Sequence, residues 1–168
     1  MQQRETPWTP IKAISRAKNS VESFGVPIFD PNLPKEHDLL FGQLASYSDN
    51  ELEKFLVIYG GYKASLETKL ADIESVVGAL EAAFNEGYNA ALHQVAKEYE
   101  KSGAKKPTRE ELRGEVMTRF DELTEQKKDI IDQTVELKRF QGLLNTYTTA
   151  YQTVSRVVTL RTKRAESI

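Results

Sequence analysis

The sequence predicts an all-α fold: a long antiparallel helical hairpin, a coiled coil in its later part, behind a proline-rich N-terminal arm. Three observations predict it. Apolar residues recur by steps of three or four from Leu52 to Tyr99 and again from Leu112 to Leu123, and then every seven residues from Leu123 to Val158. One short break, "KSGAKKPT" (Lys101–Thr108), separates these two stretches. Five of the six prolines fall within residues 1–35.

The arm, residues 1–35, holds Pro7, Pro10, Pro27, Pro31 and Pro34. Each removes a backbone donor and biases the preceding residue away from helix. Between Pro10 and Gly25 there is room for one short helix, with Pro10 in its first turn and Gly25 as its C-cap. Ile11, Ile14, Val21 and the aliphatic part of Lys18 would share its face. Trp8, Ile28, Phe29 and Leu33 read as apolar hooks, which pack on the chain's own core or on a neighbour.

Residues 36–168 form the hairpin. A short helix over 36–46 would present Leu39, Leu40 and Leu44. The first long helix, 49–101, opens at Ser48, whose spacing to Glu51 is that of a capping box. Its face runs Leu52, Phe55, Tyr59, Tyr62, Leu66, Leu70, Ile73, Val77 and on to Tyr99, a mean step of about 3.6. Gly60-Gly61 is the place for a bend, and the glycines permit close approach of a partner helix.

The basic linker, 102–108, contains Gly103 to end one helix and Pro107, which cannot continue it. Thr108 with Glu111 repeats the capping-box spacing and opens the second long helix, 109–165. Leu137, Phe140, Leu144, Tyr147, Tyr151, Val154 and Val158 step strictly 3, 4, 3, 4, 3, 4. That is a heptad seam with a left-handed supercoil. The long helices carry more aromatics than one two-helix seam uses. Homo-oligomerisation, or docking to a larger assembly, is therefore expected.

The 168 residues suit one domain, or a core plus an arm. Without cysteine there is no disulfide scaffold and no thiolate zinc site. No apolar run approaches ~18 residues, so no membrane span is expected. "MQQRETPWTPIK" lacks the apolar core of a secretory signal, which points to a cytoplasmic protein.

The net charge of −2 conceals segregation. Residues 36–100 carry net −8 and residues 110–136 net −5, whereas 101–109 carry +4 and 137–168 carry +5. Two basic clusters result: Lys101, Lys105, Lys106 and Arg109 at the linker, and Arg156, Arg161, Lys163 and Arg164 at the tail, with Lys138 and Arg139 upstream. Such clusters neutralise phosphates, and Tyr147 and Tyr151 between them are of a type that stacks on bases. The simpler reading makes those tyrosines seam residues and gives the last cations to the helix dipole.

Catalytic chemistry finds little support. His37 and His93 have no ligand-like spacing. "YGGYK" lacks the strand-loop-helix context of a phosphate cradle. No nucleophile, base and orienter can be named together, so neither catalysis, a metal nor a cofactor is expected.

Two stretches carry a family resemblance. "YGGYKASLETKLADIESVVGALEAAFNEGY" (Tyr59–Tyr88) has an aromatic, then "IE" at a fixed distance, then an alanine-leucine stretch ending in tyrosine. "KDIIDQTVELKRFQGLLNTYTTAYQTVSR" (Lys128–Arg156) has "KD", an aromatic, paired leucines, an alanine and a terminal "SR". Over these segments, about a third of the chain, it resembles the UvsY-type recombination mediator proteins of T-even and related phages. The resemblance implies a non-enzymatic factor, in the host cytoplasm if phage-encoded. Such proteins form ring-like oligomers, bind single-stranded DNA and help load a RecA-like recombinase against a single-strand-binding protein. The matching positions are Tyr59, Leu143 and Leu144 for packing and assembly, and Ser155-Arg156, with Arg156 as a phosphate contact. The alternative is a structural or adaptor coiled-coil protein, such as a virion component, whose arm and aromatics, Trp8 among them, dock to neighbouring proteins.

Overall fold

The computed structural model describes residues 8–28, 30, 32–34, 43–105 and 107–166. Every regular element among them is helical: α1 (Pro10–Ser23), a 3-10 turn (Gln43–Ser46), α2 (Asp49–Ser102), α3 (Arg109–Arg119) and α4 (Asp121–Glu166). The long helices make an all-α helical hairpin. Among the described residues, no helix is long and apolar enough to cross a membrane.

Both expected capping boxes are present. Glu51 Oε2 accepts from Ser48 N at 2.7 Å, while Ser48 Oγ accepts from Glu51 N at 3.4 Å. Thr108 and Glu111 do the same at 2.7 and 3.2 Å. Each box satisfies two backbone donors that a helix start otherwise leaves unpaired. Gly25 and Gly103, just past the ends of α1 and α2, have φ of 89° and 66°, the left-handed region that disfavours a Cβ. The threonines that fill the gaps of α4 turn their hydroxyls back on the helix. Thr134, Thr153, Thr159 and Thr162 each donate to the carbonyl four residues earlier.

The chain divides into two compact units. The first joins residues 1–17 to 73–136. Its core is Ala91 and Val95 of α2, Val116 of α3 and Leu123 of α4, with Phe84, Tyr88 and Phe120 packed around them. Gly87 faces Leu123 so closely that a Cβ there would stand 3.2 Å from a leucine methyl. Arg119 donates to Glu98 at 2.6 Å and pairs with Glu115 at 2.5 Å, and Tyr99 donates to Glu115 at 2.8 Å. The arm is fastened at Asp132, which accepts from the Trp8 indole at 2.8 Å and from the Arg16 guanidinium at 2.7 Å.

The second unit joins residues 18–72 to 137–168. Leu52, Leu66, Phe140 and Val154 are wholly buried at its centre. The Phe24 ring meets Phe140 edge-on at 5.3 Å, and Tyr62 meets Tyr147 at 5.1 Å. Gly60 admits the Tyr151 ring, 3.6 Å from where a Cβ would stand, and α2 runs unbroken through Gly60-Gly61.

Four expectations are corrected or bounded. The second long helix is not continuous over 109–165. Phe120 leaves helical geometry (φ −113°, ψ 84°) while its ring packs on the first unit's core, and α4 starts afresh at Asp121. Thr124 Oγ1 spans the break, donating to Met117 O at 3.0 Å. The inner face of α1 is Ala13, Ala17 and Val21, whereas Ile11 and Ile14 are exposed. Small residues let this short helix lie close to what it covers. The fully covered line of α4 is Phe140, Leu143, Tyr147, Ala150 and Val154. Leu137, Leu144, Tyr151 and Val158 are half-buried beside it. The arm is the reason: Val21 and Ile28 lie on the Leu143 side of α4 and widen the covered face beyond a two-helix seam. Of the short helix at 36–46 only Gln43–Ser46 is described. His37, Leu39, Leu40, Phe29, Pro7, Pro31 and Lys106 lie outside the described residues.

Candidate anion-binding groove

The second unit carries a strap, described at residues 26–28, 30 and 32–34, held by three tyrosine hydroxyls. Tyr62 donates to Asp30 Oδ2 at 2.9 Å, Tyr59 to Pro34 O at 3.4 Å, and Tyr147 to Pro27 O. Burial pushes the Tyr147 phenol up to about 12 and raises that of Tyr59 further. The Asp30 carboxyl lies below its usual range, chiefly because it accepts the Asn32 backbone N–H; partial burial opposes this and the Tyr62 hydroxyl adds to it. The phenols at 59, 62 and 147 are therefore occupied in fastening the strap, and their rings are packed.

Beside the strap lies a half-open groove of about 320 Å³. Val21, Ile28 and Leu143 give it an apolar floor, and Lys18, Lys138 and Arg139 give it a cationic rim. The turn at Gly25 returns the chain so that Ile28 meets the same side of α4 as Val21. Gly142 contributes bare backbone, with nothing within 4 Å of where its Cβ would stand. The Thr146 hydroxyl is turned back to Gly142 O at 3.2 Å. No carboxylate is among the described residues that line the groove; Glu22 pairs with Lys18 at 3.7 Å, and both side chains are well exposed.

The other cations expected at an anionic site separate into two kinds. Arg156 and Arg164 are exposed on α4, Lys163 lies in its last turn, and Lys101 and Lys105 are exposed at the end of α2 and in the linker that follows it. Arg161 is different. Its guanidinium donates to Tyr47 O at 2.8 Å, Ala45 O at 3.0 Å and Leu44 O at 3.3 Å, and it pairs with Asp49 at 2.6 Å. It ties α4 to the 3-10 turn and to the start of α2. The packing candidates Tyr59, Leu137, Phe140, Leu144, Tyr147, Tyr151, Val154 and Val158 all pack within this chain, and Trp8 is half-buried against Asp132.

Sequence reasoning passed over two features. Lys18 was read for its aliphatic stem; its charge joins the groove because Val21, three residues on, faces inward. Asp132 gave no signal at all, since its partners lie 116 and 124 residues away. Among the described residues, no group of three or more His, Cys, Asp or Glu side chains is placed to hold a metal ion.

No protein-family model matches the chain, and no curated protein or solved structure does either.

Proposed function

We propose that this chain is a non-catalytic accessory protein of recombination. It holds single-stranded DNA by its phosphates and helps load a RecA-like recombinase. One observation carries the reading. Lys18, Lys138 and Arg139 converge on a groove with no carboxylate among its described lining residues, in a chain whose acidic residues lie mostly elsewhere. Exposed Arg156 and Arg164 on α4 supply further phosphate contacts. With Tyr59 and Tyr147 packed, the affinity is electrostatic, and each phosphate neutralised releases counterions.

Anisotropy of a labelled oligothymidine, titrated with protein at several salt concentrations, tests this. With about four phosphates engaged, log K falls with log salt at a slope of about −3. The quadruple reversal Lys138→Glu, Arg139→Glu, Arg156→Glu, Arg164→Glu abolishes binding while leaving helicity unchanged. Retained binding in that variant, or none in the wild type at low salt, removes the reading.

A structural or adaptor role is the second reading, favoured by exposed Ile11, Val57 and Leu160, apolar positions at which neighbours dock. Mass measurement with and without the oligonucleotide separates the two. Self-association that ignores DNA supports the adaptor.

A further inference from the structure

We infer that the groove between the end of α1, the strap and α4 is a subsite for one nucleotide unit of a single strand, with the base on the apolar floor and phosphates on the rim. This rests on the DNA-binding reading above and adds to it a base contact that a purely electrostatic surface lacks.

The groove combines an apolar floor with a cationic rim. Inorganic phosphate needs cations and donors but no apolar floor. Here Val21, Ile28 and Leu143 line the same space as three cations. An occupant that satisfies both is flat and apolar in its middle and anionic at its edges. The rim cations also come from two different helices, Lys18 from α1 and Lys138 and Arg139 from α4. A nucleotide within a strand carries a phosphate on each side of its base, which matches cations reached from two elements. The volume of about 320 Å³ lies at the small end of ligand sites, and the groove is half-open, so a strand can enter and leave.

Gly142 supports the same occupant. It sits in the middle of α4, where glycine costs a helix about 1 kcal/mol relative to alanine. Among the described residues, nothing stands within 4 Å of its missing Cβ to demand it. What its absent side chain leaves is open backbone on a groove wall, the kind of surface a planar ring can approach closely.

The test compares an oligothymidine with an abasic strand of the same length, each titrated against wild type, Gly142→Ala, Gly142→Leu and Ile28→Ser. Wild type and Gly142→Ala bind the base-bearing strand about five-fold more tightly than the abasic one. Gly142→Leu keeps every cation but fills the groove, and its two affinities converge on the abasic value. Ile28→Ser alters a residue that is 56 % exposed, so folding is spared, and it lowers the preference in the same direction. Free thymidine monophosphate at millimolar concentration competes weakly; competition as strong as the strand's would replace the strand by a free nucleotide as the occupant and overturn the assignment. A five-fold preference that survives both Gly142→Leu and Ile28→Ser overturns the subsite while leaving DNA binding intact. No binding of either strand at low salt overturns the subsite together with the reading it rests on.

Discussion

Replacing Arg161 by alanine removes one guanidinium that serves three backbone carbonyls and a carboxylate. The magnitude can be worked from its partners. A hydrogen bond to a charged donor contributes about 1.5–3 kcal/mol, and a buried acceptor left unmade costs a similar amount. The three bonds do not add fully, because they share one side chain and water reaches the carbonyl of exposed Ala45. Leu44 O keeps the Tyr47 N–H as a partner at 3.3 Å, so the part-buried carbonyl of Tyr47 is the costliest to leave unpaired. The Asp49 side chain is 76 % exposed, and that pair adds less than about 1 kcal/mol. Arg161→Ala should therefore cost about 3 kcal/mol. Arg161→Lys keeps the charge but not the planar fork, and should cost about half of that. In urea, with a slope of about 2 kcal/mol/M, the midpoint falls by about 1.5 M for alanine. Arg164→Ala, at an exposed position in the last turn, is the control and shifts stability by less than about 0.5 kcal/mol. A loss below about 1 kcal/mol in Arg161→Ala would refute the reasoning. The guanidinium would then return to the set of phosphate contacts.

Trp8 is the only tryptophan, so its emission reports on the arm. Asp132→Ala should shift that emission to the red and raise its quenching by acrylamide, and an unchanged spectrum would mean that Asp132 does not hold the arm. Because the folded Asp30 carboxyl is depressed, its contribution is present above the ordinary aspartate range and is lost as pH falls through the folded value, below about pH 4. Urea midpoints of wild type and Asp30→Asn should converge between pH 6 and pH 3; a constant gap counts against the strap contact. Gly78→Ala, with nothing within 4 Å of its new methyl, should stabilise by about 1 kcal/mol, and Gly87→Ala by less, because Leu123 must give way. The reverse order in thermal melts would contradict the close approach at Gly87. Thr108→Ala should cost about 1 kcal/mol through loss of the α3 capping box, read by the same melts.

Local chemistry was legible in the sequence, and chemistry between distant residues was not. Ser48–Glu51 and Thr108–Glu111 could be read because a capping box lies within four residues. Gly25 and Gly103 could be read because a left-handed cap needs only one residue. The inner face of α2 followed from period alone, since every position from Leu52 to Tyr99 on that face is buried or half-buried. On α4 the period placed Phe140, Tyr147 and Val154 correctly but not Ala150, because a heptad assumes one partner helix and the arm adds a second covering surface. The same addition brought Ala13 and Ala17 inward in place of the larger Ile11 and Ile14. The break at Phe120 has no proline or glycine beside it and is driven by where its ring packs. Arg161 read as one more tail cation; only the fold brings it to Leu44, Ala45 and Tyr47.

The division of the chain has a consequence for its synthesis. The core of the first unit lies within residues 73–136, whereas the second needs residues 137–168 to close on residues 18–72. At about 5–20 residues per second, the early half of α2 waits on the ribosome for several seconds before Phe140, Tyr147 and Val154 emerge. During that interval Tyr59 can reach the Pro34 carbonyl, but Leu52 and Leu66 lack Phe140, Tyr147 and Val154. Translation order thus leaves an apolar face of α2 open until α4 emerges, and the three tyrosine contacts of the strap are completed last, when Tyr147 arrives.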